Sequence, residues 1–148
     1  MDGGESTLGP ILARFRHLQH RYMQPHFARL GIFRGQPRVL FAVNGSPGIS
    51  QVELTRAIHV QPPTATRMIV RMEEAGLLVR EPDPGDHRAN RVYLTPKGEE
   101  VLHAFRKVIA REEQEVFSVL EEGERRQLAE LIQRLSDRYE SALEGLAR

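Results

Sequence analysis

The chain has 148 residues, of which 40% are hydrophobic and 28% are charged, a balance typical of one soluble globular domain. It contains no cysteine, which excludes disulfides, thiol redox chemistry and cysteine-based zinc sites. Its charge is unevenly distributed along the chain although the net charge is only +1. Residues 1–55, 56–97 and 98–148 carry net charges of +3, +2 and −4. No apolar run approaches the roughly 20 residues of a membrane span, and the first ten residues do not resemble a signal peptide. We therefore expect a cytoplasmic protein with no membrane contact.

Two helices are predicted in the N-terminal part of the chain. Apolar residues recur at every third or fourth position from Leu8 to about Leu30, which is the period of a helix. Pro25 is predicted to kink or interrupt this helix, and Gly31 to end it. A short buried helix is predicted over Gln36 to Val43, followed by the turn sequence "NGSPG".

The middle of the chain has the pattern of a helix-turn-helix. Ser50 and Glu53 form a capping box, which predicts a helix over residues 51–58. A second helix is predicted to begin at the two prolines of "QPPTATRMIV" and to stop at Gly76. Two short helices joined by so brief a link are typical of this motif.

A β-hairpin and two long helices are predicted in the remainder. The strand-like runs "LLVRE" and "NRVYLT" flank the turn-forming segment "PDPGDHRA". Thr95 is predicted to cap a long helix with apolar residues as far as Leu120. A last helix is predicted to run towards Leu146, and its apolar residues follow a heptad spacing suited to a partner helix. These residues are Leu128, Ile132, Leu135, Tyr139, Ala142 and Leu146.

The second helix of the helix-turn-helix has one apolar and one polar face on a helical wheel. Ala65, Met68, Ile69 and Met72 fall on the side predicted to face the core, and the opposite side carries Pro63, Thr64, Arg67, Arg71 and Glu74. Arginine can donate two hydrogen bonds to guanine, and the threonine methyl group can contact that of thymine. The N-terminal end of this helix is also suited to bind a phosphate, and Gln61 or Thr66 is predicted to contribute to that binding. The alternative is that Arg67 and Arg71 form an ordinary solvated face.

Taken together, these features resemble the MarR family of bacterial transcriptional regulators. The resemblance runs from about Arg34 to Leu102, and its most specific parts are "TRMIVRMEEAGLLVR", "DPGDHR" and "LTPKG". The first is similar to the family's recognition helix and the segment that connects it to the wing. The second is similar to the family's wing signature Asp-x-x-Asp-x-Arg. Two prolines at the helix start, and His87 where many members have arginine, depart from the usual pattern.

The resemblance implies roles for the hairpin, which corresponds to the family's wing. Arg88 matches the arginine that enters the minor groove, and Asp83 and Asp86 match residues of the wing signature that brace the wing. Asp86 is expected to do so by pairing with an arginine. Arg91 is expected either to contact the phosphate backbone or to be a solvated strand residue.

The family also implies a dimer and a small-molecule effector. Members are homodimers joined through their N- and C-terminal helices, and they commonly bind small aromatic or lipophilic anions in a cleft beside the DNA-binding lobe. Candidate pocket residues, chosen by position alone, are Tyr22, His26, Arg38 and Phe41.

The overall prediction is a mainly α protein with a small β wing. Residues 34–96 form the winged helix-turn-helix DNA-binding domain, and residues 1–33 and 97–148 form a helical dimerisation region. The predicted function is a dimeric regulator, more often a repressor than an activator, that binds a pseudo-palindromic duplex and is released by an effector. No catalytic motif, cofactor or metal site is predicted.

Two alternative functions remain open from the residues. A metal-responsive regulator could use His17 and His20, although residues 6–52 contain no carboxylate to complete such a site. A protein-interaction module could use the acidic C-terminal helices on an idle winged-helix scaffold.

Overall fold

The computed structural model describes residues 8–146, which form six α-helices, one 3₁₀ turn and three short strands. These residues form two compact units, and the boundary between them follows residue 108, within the fifth helix. The elements are α1 (Leu8–Leu30), α2 (Gln36–Gly45), β1 (Ile49–Ser50), α3 (Gln51–Ala57), α4 (Pro62–Glu74), β2 (Leu78–Pro82), β3 (Asn90–Leu94), α5 (Pro96–Glu115), a 3₁₀ turn (Phe117–Val119) and α6 (Glu122–Leu146). No helix among the described residues is both long enough and apolar enough to cross a lipid bilayer.

The helix-turn-helix consists of α3 and α4 and follows the predicted boundaries closely. The capping box is formed, because the Ser50 hydroxyl accepts the Glu53 N–H and the Glu53 carboxylate accepts the Ser50 N–H, both at 3.1 Å. His59 in the link has φ of +53°, a left-handed conformation that histidine adopts more readily than most residues. Gly76, with φ of +75°, ends the segment after α4 as predicted.

The wing is a three-stranded antiparallel sheet with the order β1-β3-β2. The hairpin of β2 and β3 was predicted, whereas β1 was not, because two residues are too short to show an alternating pattern. β1 pairs Ile49 with Val92 and Ser50 with Arg91. It therefore joins the start of α3 directly to the wing.

The core of the first unit lies between the helix-turn-helix and the sheet. Ala65, Ile69 and Met72 present the buried face of α4, as the helical wheel predicts, while Met68 is half-buried. Burial of each large aliphatic side chain contributes about 1.5 to 3 kcal/mol. The largest side chains among those that are fully buried are Val39, Leu40, Val43, Leu54, Ile58, Ile69, Met72, Leu77, Val92 and Leu102.

α1 belongs to the first unit and packs there through aromatic contacts. Its Met23 is buried, and the Phe27 ring stacks on Phe105 of α5 with the ring centroids 5.8 Å apart. The helix continues through Pro25, so of the two predicted outcomes, a kink or an interruption, the interruption is wrong, since these contacts hold the chain on both sides of the missing N–H. Gly31 ends the helix with φ of +65°, as predicted.

The start of α5 is fixed against the segment that follows α4. The Thr95 hydroxyl accepts the Gly98 N–H at 3.0 Å, which confirms it as the cap, and donates to the Gly76 carbonyl. The Lys97 ammonium donates to the Ala75 carbonyl at 2.7 Å, which places a cation at the C-terminal end of α4. Gly98 is buried against Leu77.

The second unit contains the end of α5, the 3₁₀ turn and α6. The predicted single helix to Leu120 is wrong beyond Glu115, where the chain turns at Phe117–Val119. This segment includes Val116, Ser118 and Val119, which favour a helix only weakly. α6 runs from Glu122 to Leu146, and all its residues are exposed in a single chain.

Candidate nucleic-acid interface

The exposed face of α4 carries cations and small side chains. Pro63, Thr64, Arg67, Arg71 and Glu74 are all exposed, in agreement with the helical wheel. Among the residues that the structure describes, no carboxylate pairs with Arg67 or Arg71. Within the described residues, the donors of both guanidinium groups are therefore not taken up by an ion pair.

The N-terminal end of α4 is a weaker phosphate site than its position predicts. Gln61 is the N-cap residue, and its side chain makes no capping hydrogen bond. Pro62 and Pro63 occupy the first turn and carry no N–H, so two of the donors that a helix start normally presents are missing. Thr66 is exposed, and its hydroxyl lies 3.4 Å from the Gln51 amide nitrogen.

The wing turn is held by its two aspartates in different ways. Asp83 pairs with Arg91 at 2.6 Å and also accepts the Gly85 N–H at 2.7 Å and the Asp86 N–H at 3.3 Å. Asp86 accepts the Arg88 backbone N–H at 3.0 Å. The expected ion pair of Asp86 is therefore wrong, because the arginine partner in the wing lies beside Asp83 instead.

Hydrogen bonding makes Asp83 a stable anion. The Gly85 N–H is the main cause that lowers the pKa of the Asp83 carboxyl, and the nearby Arg91 charge lowers it further, while desolvation opposes both. The ionised form is thus favoured, which suits a carboxylate that accepts several N–H groups.

The Arg91 side chain links two segments at the protein surface. Besides pairing with Asp83, its guanidinium donates to the Gly48 carbonyl at 2.9 Å. Gly48 has φ of +79° and precedes β1, so this one side chain joins the wing turn to the loop before the helix-turn-helix. Because the Arg91 side chain remains 44% exposed, this role is compatible with both expectations, a phosphate contact and a solvated residue.

Arg88 lies at the exposed end of the wing. Its backbone is fixed by Asp86, and within residues 8–146 no carboxylate pairs with its side chain. The wing turn therefore holds the backbone of Arg88 and leaves its guanidinium exposed to solvent.

The helix-turn-helix and the wing line one cleft of about 620 Å³. α3, α4 and the wing each contribute polar side chains to it, so a single extended ligand could contact all three elements. The residues on its walls include Gln51, Arg56, Pro62, Thr66, Arg88 and Asn90.

Arg80 is a positioning residue that sequence reasoning missed. Its guanidinium pairs with Glu73 at 2.8 Å and donates to the Gln51 amide oxygen at 3.4 Å. It therefore ties the end of α4 and the start of α3 to β2. This role could have been predicted from the sequence, because Arg80 lies on the first strand of the predicted wing, seven residues after Glu73 of the recognition helix.

The four candidate pocket residues make contacts with different partners. The Tyr22 and His26 rings of α1 lie 5.5 Å apart, and Phe41 meets Phe105 edge-on at 6.2 Å. The Arg38 guanidinium donates to the Ile58 carbonyl at 3.1 Å, so its role is to hold α2 to the end of α3. Arg106, which position alone did not suggest, lies 5.7 Å over the Phe41 ring.

The histidines considered as metal ligands do not form a cluster. His20 instead shares a hydrogen bond with Gln24 at 2.9 Å. In the part of the chain that the structure describes, no three histidine or carboxylate side chains are placed to hold a metal ion.

Comparison with known proteins relates the chain to transcriptional regulators. A model of the MarR family matches residues 30–89. Transcriptional regulator HosA of Escherichia coli O111:H- is 38% identical over 93 residues, which cover 60% of this chain and 69% of HosA. A putative transcriptional regulatory protein for the hcr operon of Thauera aromatica is 30% identical over 105 residues. That match covers 71% of this chain and 63% of the relative, slightly less than two thirds of its length.

Solved structures of similar proteins share the fold over nearly the whole chain. The transcriptional regulator SlyA is 30% identical with a TM-score of 0.82, covering 96% of this chain and 99% of that one. The repressor CouR, bound to a 23-mer DNA duplex, is 26% identical with a TM-score of 0.80, covering 92% and 98%. PcaV from Streptomyces coelicolor, in complex with its natural ligand, is 27% identical with a TM-score of 0.75, covering 93% and 98%.

These likenesses confirm the predicted fold, a mainly helical winged helix-turn-helix with terminal helices. They also confirm the predicted absence of an enzyme function, because the matched proteins are regulators. By sequence and by structure, this chain belongs to the MarR family of winged helix-turn-helix transcriptional regulators.

Proposed function

We propose that this protein regulates transcription by binding a specific DNA duplex, most simply as a repressor. The observation that carries the proposal is the shared surface of α4 and the wing, where Arg67, Arg71 and Arg88 are exposed without an acidic partner among the described residues. Exposed cations on a recognition helix and an adjoining wing match the charge of the phosphate backbone. The duplex seen with CouR is consistent with this function.

Each side chain of this surface is assigned a role by its position. Thr64 and Arg67 are proposed to meet base edges in the major groove, because they lie in the N-terminal half of the exposed face of α4. Arg88 is proposed to enter the adjacent minor groove, where a narrow A·T-rich segment attracts arginine. Contacts to the phosphate backbone are proposed for Gln61, Thr66 and Arg71, and an apolar contact with the DNA for Pro63, which has no N–H to donate. Arg91 is proposed as a weaker phosphate contact, because Asp83 and Gly48 occupy its Nε and Nη1 donors.

The regulator is further proposed to act as a homodimer on a pseudo-palindromic site. Residues 34–96 would form the DNA-binding part, and the helices of 1–33 and 97–148 the dimerisation part. α6 leaves an apolar series exposed in the single chain, which a second copy would cover. This series consists of Leu128, Leu131, Ile132, Leu135, Tyr139, Leu143 and Leu146, and α1 similarly exposes Leu8, Ile11, Phe15 and Leu18.

A small aromatic or lipophilic anion is proposed as the effector. The ligand in the PcaV structure is consistent with such a role. We now favour a site near Phe41 and Arg106, where a cation lies over an aromatic ring, with Tyr22 and His26 as further candidates. To release DNA, the ligand must bind one conformation more tightly than the other, since equal affinity shifts no equilibrium.

Replacement of Arg88 by alanine tests the role of the wing. We expect Arg88→Ala to bind its duplex more weakly and to flatten the dependence of log K on log salt concentration by about 0.9, because one cation that neutralises the charge of the DNA from the minor groove is lost. The preference for A·T pairs flanking the site should also fall. Fluorescence anisotropy titrations at several salt concentrations measure both effects.

His87→Ala is the matched control, since His87 is the exposed neighbour in the same turn and its formal charge at pH 7 is neutral. We expect its salt slope to equal that of the wild type. A slope in Arg88→Ala that is identical to the wild-type slope would contradict the wing assignment.

A further inference from the structure

A second basic groove adjoins the exposed face of α4 on the side of α2. It has a volume of about 220 Å³ and is lined by Phe33, Arg34, Gln36, Thr64, Arg67, Met68 and Arg71. Three of these side chains are arginines, and none is acidic. Thr64, Arg67 and Arg71 also belong to the proposed DNA-binding face of α4, so the groove continues that surface towards the loop before α2.

The loop that supplies Phe33 and Arg34 is anchored on both sides. Ile32 is only 3% exposed, and the buried Gln36 accepts the Phe33 N–H through its side-chain oxygen at 2.9 Å. Gly35 adopts φ of +91°, and a Cβ at this position would lie 3.3 Å from the Met68 methyl group of α4. The loop is therefore held close to the recognition helix.

Within this anchored loop, two side chains remain exposed. Phe33 is 70% exposed although it is a large aromatic residue between a buried isoleucine and a structured turn. Arg34 is exposed, and in the described part of the chain no carboxylate pairs with it. Fixed backbone with an exposed aromatic ring and an unpaired cation is a combination that suits a partner with apolar and anionic groups side by side.

We propose that Phe33 and Arg34 extend the DNA-binding surface beyond the recognition helix. Arg34 binds a backbone phosphate at the edge of the major groove that α4 enters, and Phe33 packs on the neighbouring deoxyribose. The duplex backbone alternates apolar sugars with anionic phosphates, which matches this pair of side chains. The inference rests on the proposed function, because it assumes that α4 faces the major groove.

The pair should contribute affinity without contributing sequence preference, since phosphate and sugar contacts carry no direct sequence information. With a duplex selected by the wild-type protein from a random pool, we expect Arg34→Ala to reduce the magnitude of the salt slope by about 0.9. Arg34→Lys should keep the wild-type slope, because it keeps the charge. Phe33→Ala should bind more weakly with an unchanged slope.

The discrimination between the selected duplex and a scrambled one should be the same in these three variants as in the wild type. Asn44→Ala, which replaces an exposed residue of α2 outside the groove lining and changes no charge, is the control and should change neither quantity. Unfolding midpoints of all variants establish that each is folded.

The outcomes separate this inference from the proposed function. If Arg34→Ala keeps the wild-type salt slope while the wild type binds its duplex specifically, the Arg34 contact is overturned and the proposed function stands. If Phe33→Ala keeps the wild-type affinity, the sugar contact is overturned. If the wild-type protein binds no duplex selectively, both this inference and the proposed function are overturned.

Discussion

Replacement of Gly98 by alanine is expected to destabilise the protein by about 2 kcal/mol, within the range measured for overpacked sites. The added methyl group would collide with the Leu77 carbonyl oxygen and would lie 3.1 Å from the carbonyl carbon. That carbonyl accepts the Thr95 N–H at 3.1 Å, so it cannot turn away without losing a hydrogen bond. Alanine favours a helix over glycine by about 1 kcal/mol, but this gain is smaller than the steric cost that we expect.

The measurement is thermal unfolding at a fixed protein concentration, where this loss corresponds to a decrease of about 4 to 8 °C in Tm. Gly123→Ala is the matched control, because Gly123 also lies in the first turn of a helix and a Cβ there would meet nothing within 4 Å. We expect the control to be as stable as the wild type or slightly more so. Equal Tm values for Gly98→Ala and Gly123→Ala would disprove the close contact at Leu77.

Replacement of Arg67 by alanine is expected to lower the affinity for the selected duplex by about 1 to 3 kcal/mol, which is about 5-fold to 150-fold. Arg67 lies on the exposed face of α4, and among the described residues it has no acidic partner that would compete for its donors. The loss should be specific, so that affinity for a scrambled duplex falls much less. Parallel titrations of the two duplexes measure the ratio.

Arg67→Lys is the informative companion variant. Lysine keeps the positive charge but cannot reproduce the planar two-donor contact of arginine with guanine. We expect its affinity for scrambled DNA to resemble the wild type and its discrimination to fall towards that of Arg67→Ala. Full wild-type discrimination in Arg67→Ala would mean that this side chain does not read bases.

The elements that sequence reasoning predicted well are those with local signals. Ser50 and Glu53 define the start of α3 through their own hydrogen bonds, and Gly76 marks the end of the segment after α4 by its backbone conformation. The apolar period of α4 correctly separates its buried and exposed faces. These features depend on neighbouring residues, and for that reason they can be read from one sequence.

The elements that were missed depend on contacts between distant parts of the chain. β1 exists because Ile49 and Ser50 pair with β3, more than 40 residues away, and two residues have no period of their own. The partner of Arg91 follows from the path of the wing turn, which brings Asp83 to its guanidinium in place of Asp86. Charge and motif position identify such arginines as candidates but cannot tell which of them is already paired.

The same reason limits the choice of candidate residues for the proposed effector site. Arg38 was chosen by position, yet its guanidinium reaches the Ile58 carbonyl. Arg106 was not chosen, although it lies over Phe41. The side chain that meets an aromatic ring from another helix depends on how the helices pack, and that packing is not visible in the local pattern.

The central claim is that paired α4 helices enter successive major grooves of one duplex. The most direct test measures the affinity of the purified protein for its selected duplex and for the same duplex with about 5 base pairs inserted between the half-sites, which is half a helical turn. We predict that the insertion reduces the affinity to that of a single half-site, because the second helix then faces the wrong side of the DNA. Equal affinity for the two duplexes would contradict the claim.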